Sequence, residues 1–416
     1  MADTNSILVV GGGMAGITAA LEAAEVGHDV ILIERNPYLG GRVAQMYRYF
    51  PKLCPPSCGL EINYKRLKNN PRVRIQTMAE VASVSGEAGD FTVELKIQPR
   101  YVNDKCTACD KCAQACTVEV DNPFNYGMDK MKGAYLPHLN AFPSLYALHP
   151  DLVANADEAK KVADACEVGA IDLDDAERTE TLKVGAIVWA TGWDPNDIAD
   201  LDYYGGGKFD NVVTNVQMER LAADEGPTGG KILSPRTGEA PKHVVFVQCA
   251  GSRDENHLAY CSGICCLASL KQATYVREQL PETRVTICFI DIRCPDRLEE
   301  VYVKAQADSG ITFIKSKVAD LQQDEETGEI TVNGEDTLAG TRFVEKADLV
   351  VLATGIVPNQ PASGIELGKD DYGFLTVNQP AGHWPAGCVM KPVEVSSTVQ
   401  DGTAAALRAI QTIVAR

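Results

Sequence analysis

Short, almost wholly apolar runs punctuate the chain, each broken off by glycine or polar residues. Ser6-Ile-Leu-Val-Val10, Asp29-Val-Ile-Leu-Ile33, Ala186-Ile-Val-Trp189, Lys242-His-Val-Val-Phe-Val247, Val285–Ile290, Ile311–Ile314 and Leu349-Val-Val-Leu352 show this pattern. Runs this short and this apolar predict buried strands. Between them lie stretches with helical spacing, Ile17–Val26 near the start and the Ala-rich Asp401–Ala415 at the end. Strands alternating with helices predict a doubly wound α/β architecture. Asp194–Gly238 is rich in Asp and Gly and reads as turns, and Glu325–Glu329 reads as a hairpin turn. No apolar run reaches the roughly 18 residues of a membrane helix.

The first strand runs into Gly11-Gly12-Gly13-Met14-Ala15-Gly16, then a helix, a second strand, and Glu34. Strand, Gly-x-Gly-x-x-Gly, helix, strand and acid make a complete dinucleotide fingerprint. Gly11 permits the turn, Gly13 lets the backbone approach a pyrophosphate, and Gly16 lets helix and strand pack. The helix N-terminus faces the phosphates, and Glu34 accepts from ribose hydroxyls, with Arg35 beside it. Gly40-Gly41-Arg42 follows soon after, and Ala190-Thr191-Gly192 and Ala353-Thr354-Gly355 each end an apolar strand. These segments resemble the second flavin motif and the crossover turns of the two-dinucleotide-binding-domain flavoproteins, the thioredoxin-reductase-like group. The resemblance implies FAD, with Val81 also at the cofactor. It places Gly387 against the ribityl chain and the start of the C-terminal helix toward the flavin ring, with Cys388 alongside. Plain packing accounts equally well for that helix by composition.

Cysteine changes the picture most. Cys106, Cys109, Cys112 and Cys116 form the Cys-x2-Cys-x2-Cys-x3-Cys run of bacterial-type ferredoxins. Cys166-Glu-Val-Gly reads like the last cysteine of a second such motif whose first three cysteines are missing, because 151–165 contain none. In two-cluster ferredoxins the fourth cysteine of each run ligates the other cluster. The expected ligands are therefore Cys106, Cys109, Cys112 and Cys166, with Cys116 orphaned. The competing reading closes the site with Cys116. Farther on, the strand ending at Val247 leads not to a glycine fingerprint but to Gln248-Cys249, Cys261 and Cys265-Cys266. NAD(P) binding there is doubtful, and adjacent Cys265 and Cys266 can share one cluster only at a helix start. Buried thiols are the alternative. Cys54-Pro-Pro-Ser-Cys58 receives no role; a redox pair, a cluster ligand and buried thiols all remain open. Cys288, Cys294 and Cys388 are read as structural.

Val247-Gln-Cys-Ala-Gly-Ser-Arg-Asp254 and Tyr260-Cys-Ser-Gly-Ile-Cys-Cys266 resemble the signature of the heterodisulfide reductase A-subunit family. Gly40–Arg42, Cys106–Cys116 and Gly387-Cys388 extend the likeness over most of the chain. The resemblance implies a 4Fe–4S cluster on Cys249, Cys261, Cys265 and Cys266, hence FAD and two 4Fe–4S clusters in all. The family's long form carries further N- and C-terminal domains that this sequence lacks, so the chain is most similar to the shortened branch serving quinone-interacting membrane-bound oxidoreductases. The partners this implies are a membrane quinone-binding subunit, together with a second subunit carrying flavin and clusters. Electrons would run from menaquinol toward adenylylsulfate reductase in sulfate reduction.

The fold expected is an α/β two-dinucleotide-binding-domain flavoprotein with an inserted ferredoxin-like α+β domain. The FAD-binding domain takes 1–97, 183–239 and 355–416. The insertion takes 98–182, and a second nucleotide-binding-like domain carrying an iron–sulfur site takes 240–354. With 416 residues, 45% hydrophobic and 23% charged, the composition is that of a soluble globular protein. Fourteen cysteines without a secretory leader point to a reducing, cytoplasmic setting, with membrane association only through partner subunits. A net charge of −18 argues against nucleic acid. No nucleophile–base triad or metalloprotease pattern occurs, so the expected activity is oxidoreduction by electron relay. The alternatives are a soluble, electron-bifurcating component of heterodisulfide-reductase type, and a non-catalytic scaffold with a structural flavin. A stand-alone NAD(P)H reductase is weakened by the missing second fingerprint.

Overall fold

The computed structural model describes residues 3–50, 52–361 and 366–415. The chain folds as two compact units, one from 1–193 with 358–416 and the other from 194–357.

The first unit is built on a five-stranded sheet in the order His383–Pro385, Ala186–Trp189, Ile7–Val10, Val30–Glu34, Val73–Thr77. Every neighbouring pair is parallel. The apolar runs read from the sequence are the central strands, and Ile7, Leu8, Val9, Ile187 and Val188 are fully buried. The helix Met14–Glu25 begins three residues before the apolar stretch that announced it, and the last helix spans Val395–Val414. The two lie in close contact. A β-carbon on Gly402 would sit 2.6 Å from the carbonyl oxygen of Ala15. Glu394 starts the last helix by accepting from the backbone N–H groups of Ser396 and Ser397.

A three-stranded antiparallel sheet, Arg178–Val184, Asp90–Ile97, Ala79–Glu87, covers the other face of the parallel one. Ile97 pairs with Arg178, so the residues between them leave and re-enter at the end of one antiparallel ladder. That intervening stretch has its own apolar cluster, including Val102, Cys112, Cys116, Leu152 and Val162. Its ends are held together by Asp175, whose Oδ2 accepts from the N–H groups of Arg100 (2.9 Å) and Tyr101 (3.1 Å).

His383 titrates into the stability of this unit. It is 2% exposed, and its Nδ1 accepts from Trp189 Nε1 at 3.0 Å. Burial holds its pKa down, to about 4. An unfolded histidine protonates near pH 6.5, so below that pH the unfolded chain gains the proton first. Stability is complete above roughly pH 6.5 and falls as pH drops toward 4, by about 3 kcal/mol in all. Urea unfolding at about pH 7.5 and about pH 5 should show the loss in the parent, and His383→Asn should flatten it.

The second unit has its own parallel sheet, Val212–Thr214, Leu349–Thr354, His243–Ala250, Arg284–Phe289, Ile311–Lys315. An antiparallel meander, Val318–Gln323, Ile330–Asp336 and Thr341–Ala347, accompanies it, and the hairpin turn expected at Glu325–Glu329 joins its first two strands. The sequence assigns 183–239 to the FAD-binding part, but residues 194–239 fold here. Val212–Thr214 pairs with Leu349–Thr354, and Thr214 opens the helix Asn215–Ala222 with a reciprocal capping box. Three strand residues among Asp- and Gly-rich turns give almost no periodic signal; a strand partner far along the chain decides their place.

That helix and the next, Cys265–Gln279, enclose an ion pair, Lys271 Nζ–Glu219 Oε1 at 2.9 Å, with the side chains 4% and 6% exposed. Gln272 Nε2 also donates to Glu219 Oε1 (2.7 Å), and the Tyr275 hydroxyl to Oε2 (3.3 Å). Removing one charge strands the other in low dielectric. Lys271→Met should cost about 3–5 kcal/mol in denaturant unfolding, and adding Glu219→Leu should recover much of it.

Candidate functional site

The nucleotide cradle of the first unit is assembled from backbone that side chains could not replace. Gly11 has φ +106°, and a β-carbon there would lie 2.2 Å from the carbonyl oxygen of Ala190. The first Ala-Thr-Gly turn therefore rests directly on the fingerprint. A β-carbon on Gly16 would lie 1.8 Å from the Gly11 carbonyl oxygen, and one on Gly41 3.0 Å from Gly13 Cα. The Gly40 N–H donates to Gly12 O at 2.8 Å, which docks the Gly-Gly-Arg segment onto the glycine loop. Met14 and Ala15 open the first helix, whose first-turn N–H groups have no intrahelical acceptors and point at the cradle.

Glu34 ends its strand, 6% exposed. Its Oε2 accepts from the Gly12 N–H at 2.7 Å, and its Oε1 from both the backbone N–H and the side-chain amide of Asn36 at 2.8 Å. Burial pushes its carboxyl upward, against the pull of these amides and of Arg35. Arg35 itself is exposed. Val81 is buried in the cluster that holds Val10 and Ile33. Arg42 Nε donates to Trp193 O (3.2 Å) and its Nη1 to the Tyr126 hydroxyl (3.1 Å), between the rings of Tyr126 and Trp193. Thr191 and Gly192 are stapled by Asn359, which donates from its backbone N–H to Gly192 O (3.0 Å) and accepts the Thr191 hydroxyl on its carbonyl (2.7 Å). Nothing in the sequence singled out Asn359.

The C-terminal segment closes the same cradle. A β-carbon on Gly387 would be 3.0 Å from Ala15 Cβ. The Cys388 thiol donates to Val393 O at 3.4 Å, and burial pushes its pKa up, with Asp401 adding to the effect. Asp401 Oδ2 is buried without a donor, an acceptor suited to a hydroxyl of a sugar-alcohol chain. Glycine cradle, helix start and spare acceptor together fit FAD. Gly355, of the second Ala-Thr-Gly turn, belongs to the other unit. A β-carbon there would lie 2.4 Å from Ser252 Oγ and 2.9 Å from Ser262 Oγ.

In the inserted stretch, Cys106 and Cys109 lie on a loop, Cys112 lies in the short helix Lys111–Ala115, and Cys166 follows the helix Ala156–Asp164. Non-glycine residues Ala108 and Asp110 adopt left-handed backbone (φ +53° and +67°), and Tyr146 fixes Asp110 through its hydroxyl at 2.5 Å. An ion pair between Lys111 and Glu167 links the two cysteine segments. The Cys106 sulfur accepts from the Ala108 N–H (3.4 Å), and the Cys166 sulfur from the Ala170 N–H (3.3 Å). Burial pushes the Cys112 thiol up to about 12, and the neighbouring thiols that add to this are Cys106 and Cys166. Cys116 is 2% exposed in the same apolar cluster as Cys112, and its sulfur donates to Val118 O at 3.5 Å.

In the second unit, Cys249 sits where the ladder with Leu349–Thr354 slips register, in left-handed backbone at φ +57°. Such a bulge re-aims a side chain at a strand end. Cys265 and Cys266 start the helix Cys265–Gln279, the one arrangement in which adjacent thiols can serve a single group. Burial pushes up both of their thiols and carries that of Cys249 to about 11, and each of the three is also raised by other thiols of the set, Cys261 among them. The Cys261 sulfur accepts from the Gly263 N–H at 3.3 Å. Sequence reasoning set Cys294 aside, yet its thiol is raised to about 11 by burial and by Cys266. It also missed the Arg253–Asp291–Arg293 chain (2.8 and 3.3 Å), whose guanidiniums lie by Cys249 and Cys266.

Among the described residues no three His, Cys, Asp or Glu side chains gather around one point as a single metal ion requires. A cubane makes a different demand, because each thiolate binds a different iron and the four sulfurs bracket the cluster. Two all-thiol sets, with backbone N–H groups already aimed at three of their sulfurs, suit that softer donor requirement.

The FAD dependent oxidoreductase family matches residues 6–67. Over 428 residues the chain is 37% identical to an iron–sulfur A-subunit (the one numbered 2) of the CoB–CoM heterodisulfide reductase of Methanopyrus kandleri, covering 99% of this chain and 65% of that protein. It is 37% identical to the A-subunit of the ferredoxin/F(420)H(2)-dependent CoB–CoM heterodisulfide reductase of Methanosarcina acetivorans, covering 98% of this chain and 53% of that one. It is 38% identical to the iron–sulfur A-subunit of the CoB–CoM heterodisulfide reductase of Methanocaldococcus jannaschii, covering 96% and 63%. The chain thus spans between about half and two thirds of the length of these relatives. Among solved structures, the thioredoxin reductases of Lactococcus lactis (TM-score 0.56, 14% identity, all of both chains) and T. acidophilum (0.55, 16%, 99% of both) share the fold. These are the two-dinucleotide-binding flavoproteins expected from the paired Ala-Thr-Gly turns.

Proposed function

We propose that the chain belongs to the heterodisulfide reductase A-subunit family and is the FAD- and iron–sulfur-carrying electron-transfer subunit of a heterodisulfide-reductase-type complex. Bound FAD exchanges electrons singly or in pairs, and 4Fe–4S clusters pass them one at a time. The chain's own residues hold and insulate. Gly11, Gly13, Gly16, Gly40, Gly41 and the first turn of Met14–Glu25 take the pyrophosphate, while Glu34 takes the ribose. Ala190, Thr191, Gly192, Gly387 and Cys388 line the flavin side, with Arg42 fixing the Gly-Gly-Arg loop. Cys106, Cys109, Cys112 and Cys166 hold one cluster, and Cys249, Cys261, Cys265 and Cys266 the other. Residues 98–182 act as the inserted ferredoxin-like domain.

The observation that carries this reading is the pairing of a flavin cradle with two thiol sets in a chain 37% identical, over nearly its whole length, to a heterodisulfide reductase iron–sulfur subunit. Partner subunits would deliver and remove electrons. The relatives' names favour a heterodisulfide-reductase context over the quinone-linked route to adenylylsulfate reductase expected from the sequence. No helix among the described residues is long and apolar enough to cross a membrane. Anaerobic protein should contain one FAD and about eight iron atoms. Potentiometric titration followed by electron paramagnetic resonance should reduce flavin and clusters together. A flavin that never exchanges electrons with the clusters would leave only a scaffold.

A further inference from the structure

Cys54 and Cys58 lie outside both thiol sets. Pro55 begins a helical turn at this point: its carbonyl accepts the Cys58 N–H at 3.1 Å, and the helix Ser57–Asn69 continues from it. The two cysteines thus flank a single turn, and side chains four residues apart across a turn meet on one side. Burial and the neighbouring Cys58 push the Cys54 thiol up, Lys52 opposes them, and the Cys54 sulfur donates to Lys52 O at 3.9 Å. The segment is anchored. Tyr49 and Cys54 form an antiparallel bridge, and the Tyr49 hydroxyl is packed so closely on Gly59 that a β-carbon there would lie 2.7 Å from it. Cys58 is exposed and Cys54 half-buried. Cys109 is the other exposed cysteine among the described residues, and it falls within a proposed cluster set.

Two vicinal thiols on an ordered, solvent-facing turn, remote in sequence from every cluster motif, are suited to exchange chemistry rather than to packing. We infer that Cys54 and Cys58 form a reversible dithiol–disulfide site that reacts with low-molecular-weight disulfides. The exposed Cys58 sulfur, as thiolate, attacks one sulfur of the disulfide RSSR. The S–S bond breaks, and the first RS⁻ leaves and takes a proton. Cys54, having lost its proton, then attacks the Cys58 sulfur of the mixed disulfide and expels the second RS⁻, which is also protonated. Two electrons and two protons pass from the protein to RSSR, giving two RSH and a Cys54–Cys58 disulfide. Excess RSH drives the same steps backward.

The test uses the full chain, purified anaerobically with its flavin and iron, and glutathione disulfide as the probe. After equilibration in glutathione buffers of stepped poise, acid quenching and alkylation, the peptide bearing both cysteines should lose two hydrogens under oxidising poise and regain them under reducing poise. Cys54→Ser should trap a glutathione adduct on Cys58, whereas Cys58→Ser should leave Cys54 unmodified. Both variants should keep parental iron and flavin. A pair that stays dithiol at every poise overturns the inference, as does loss of iron in either variant, which would make these cysteines cluster ligands. Failure of the relay reading would appear separately, in the iron and flavin content of the parent protein.

Discussion

Gly16→Ala is expected to empty the flavin site. The new methyl group would be placed 1.8 Å from the Gly11 carbonyl oxygen, a backbone atom on a loop whose other side is fixed by Ala190. No flexible side chain can yield there. The helix Met14–Glu25 must instead lift off the strand Ile7–Val10, and its first-turn N–H groups move with it. Anions bind a helix start only while those groups converge, so FAD retention should fall at least roughly tenfold, a loss of about 1.4 kcal/mol or more in binding. Absorbance of the purified variant and a flavin-binding titration read this directly. Gly13→Ala is the control. Its β-carbon would find Gly41 Cα as its nearest atom, at 4.0 Å, so the protein should fold normally and lose affinity only through obstruction of the ligand. Equal melting temperatures for the parent and Gly16→Ala, with full flavin, would show that the helix at Gly16 does not press on the Gly11 carbonyl.

The second large effect separates Cys166 from Cys116. Cys166→Ala should lose one of two clusters, close to half of the iron, with the corresponding loss of paramagnetic signal, and Cys116→Ala should keep both. The expectation rests on what each thiol faces. Cys166 accepts a backbone N–H and bears on Cys112, whereas Cys116 is spent on Val118 O. Cys116→Ala removes a sulfur packed beside Val102, Ala134 and Leu152, so it should destabilise by about 1 kcal/mol without touching iron. Undiminished iron in the Cys166 variant, or halved iron in the Cys116 variant, would move the fourth ligand back inside the Cys106–Cys116 run.

Both experiments probe features that were visible in the amino-acid order for a simple reason. Dinucleotide and cluster motifs are local: the turn at Gly11 and the loop from Cys106 to Cys112 are each complete within a dozen residues. Their chemistry tolerates few substitutions, so the residue types announce it. The buried parallel strands were legible because strands covered on both faces leave no polar alternation to confuse the reading. Val212–Thr214 and the helix after it were missed, since three strand residues have no pattern of their own and take their meaning from Leu349–Thr354.

The sequence by itself determined the flavin fingerprint, the paired Ala-Thr-Gly turns and the two cysteine-rich segments, because each is specified by neighbours along the chain. Only the tertiary structure decided what joins them. It laid Ala190 on Gly11, stapled Thr191 and Gly192 with Asn359, and brought Cys294 and the Arg253–Asp291–Arg293 chain to the second thiol set. Those choices depend on packing between residues tens to hundreds of positions apart. There the fit of side chains and backbone in three dimensions selects the partner, and no local pattern encodes it.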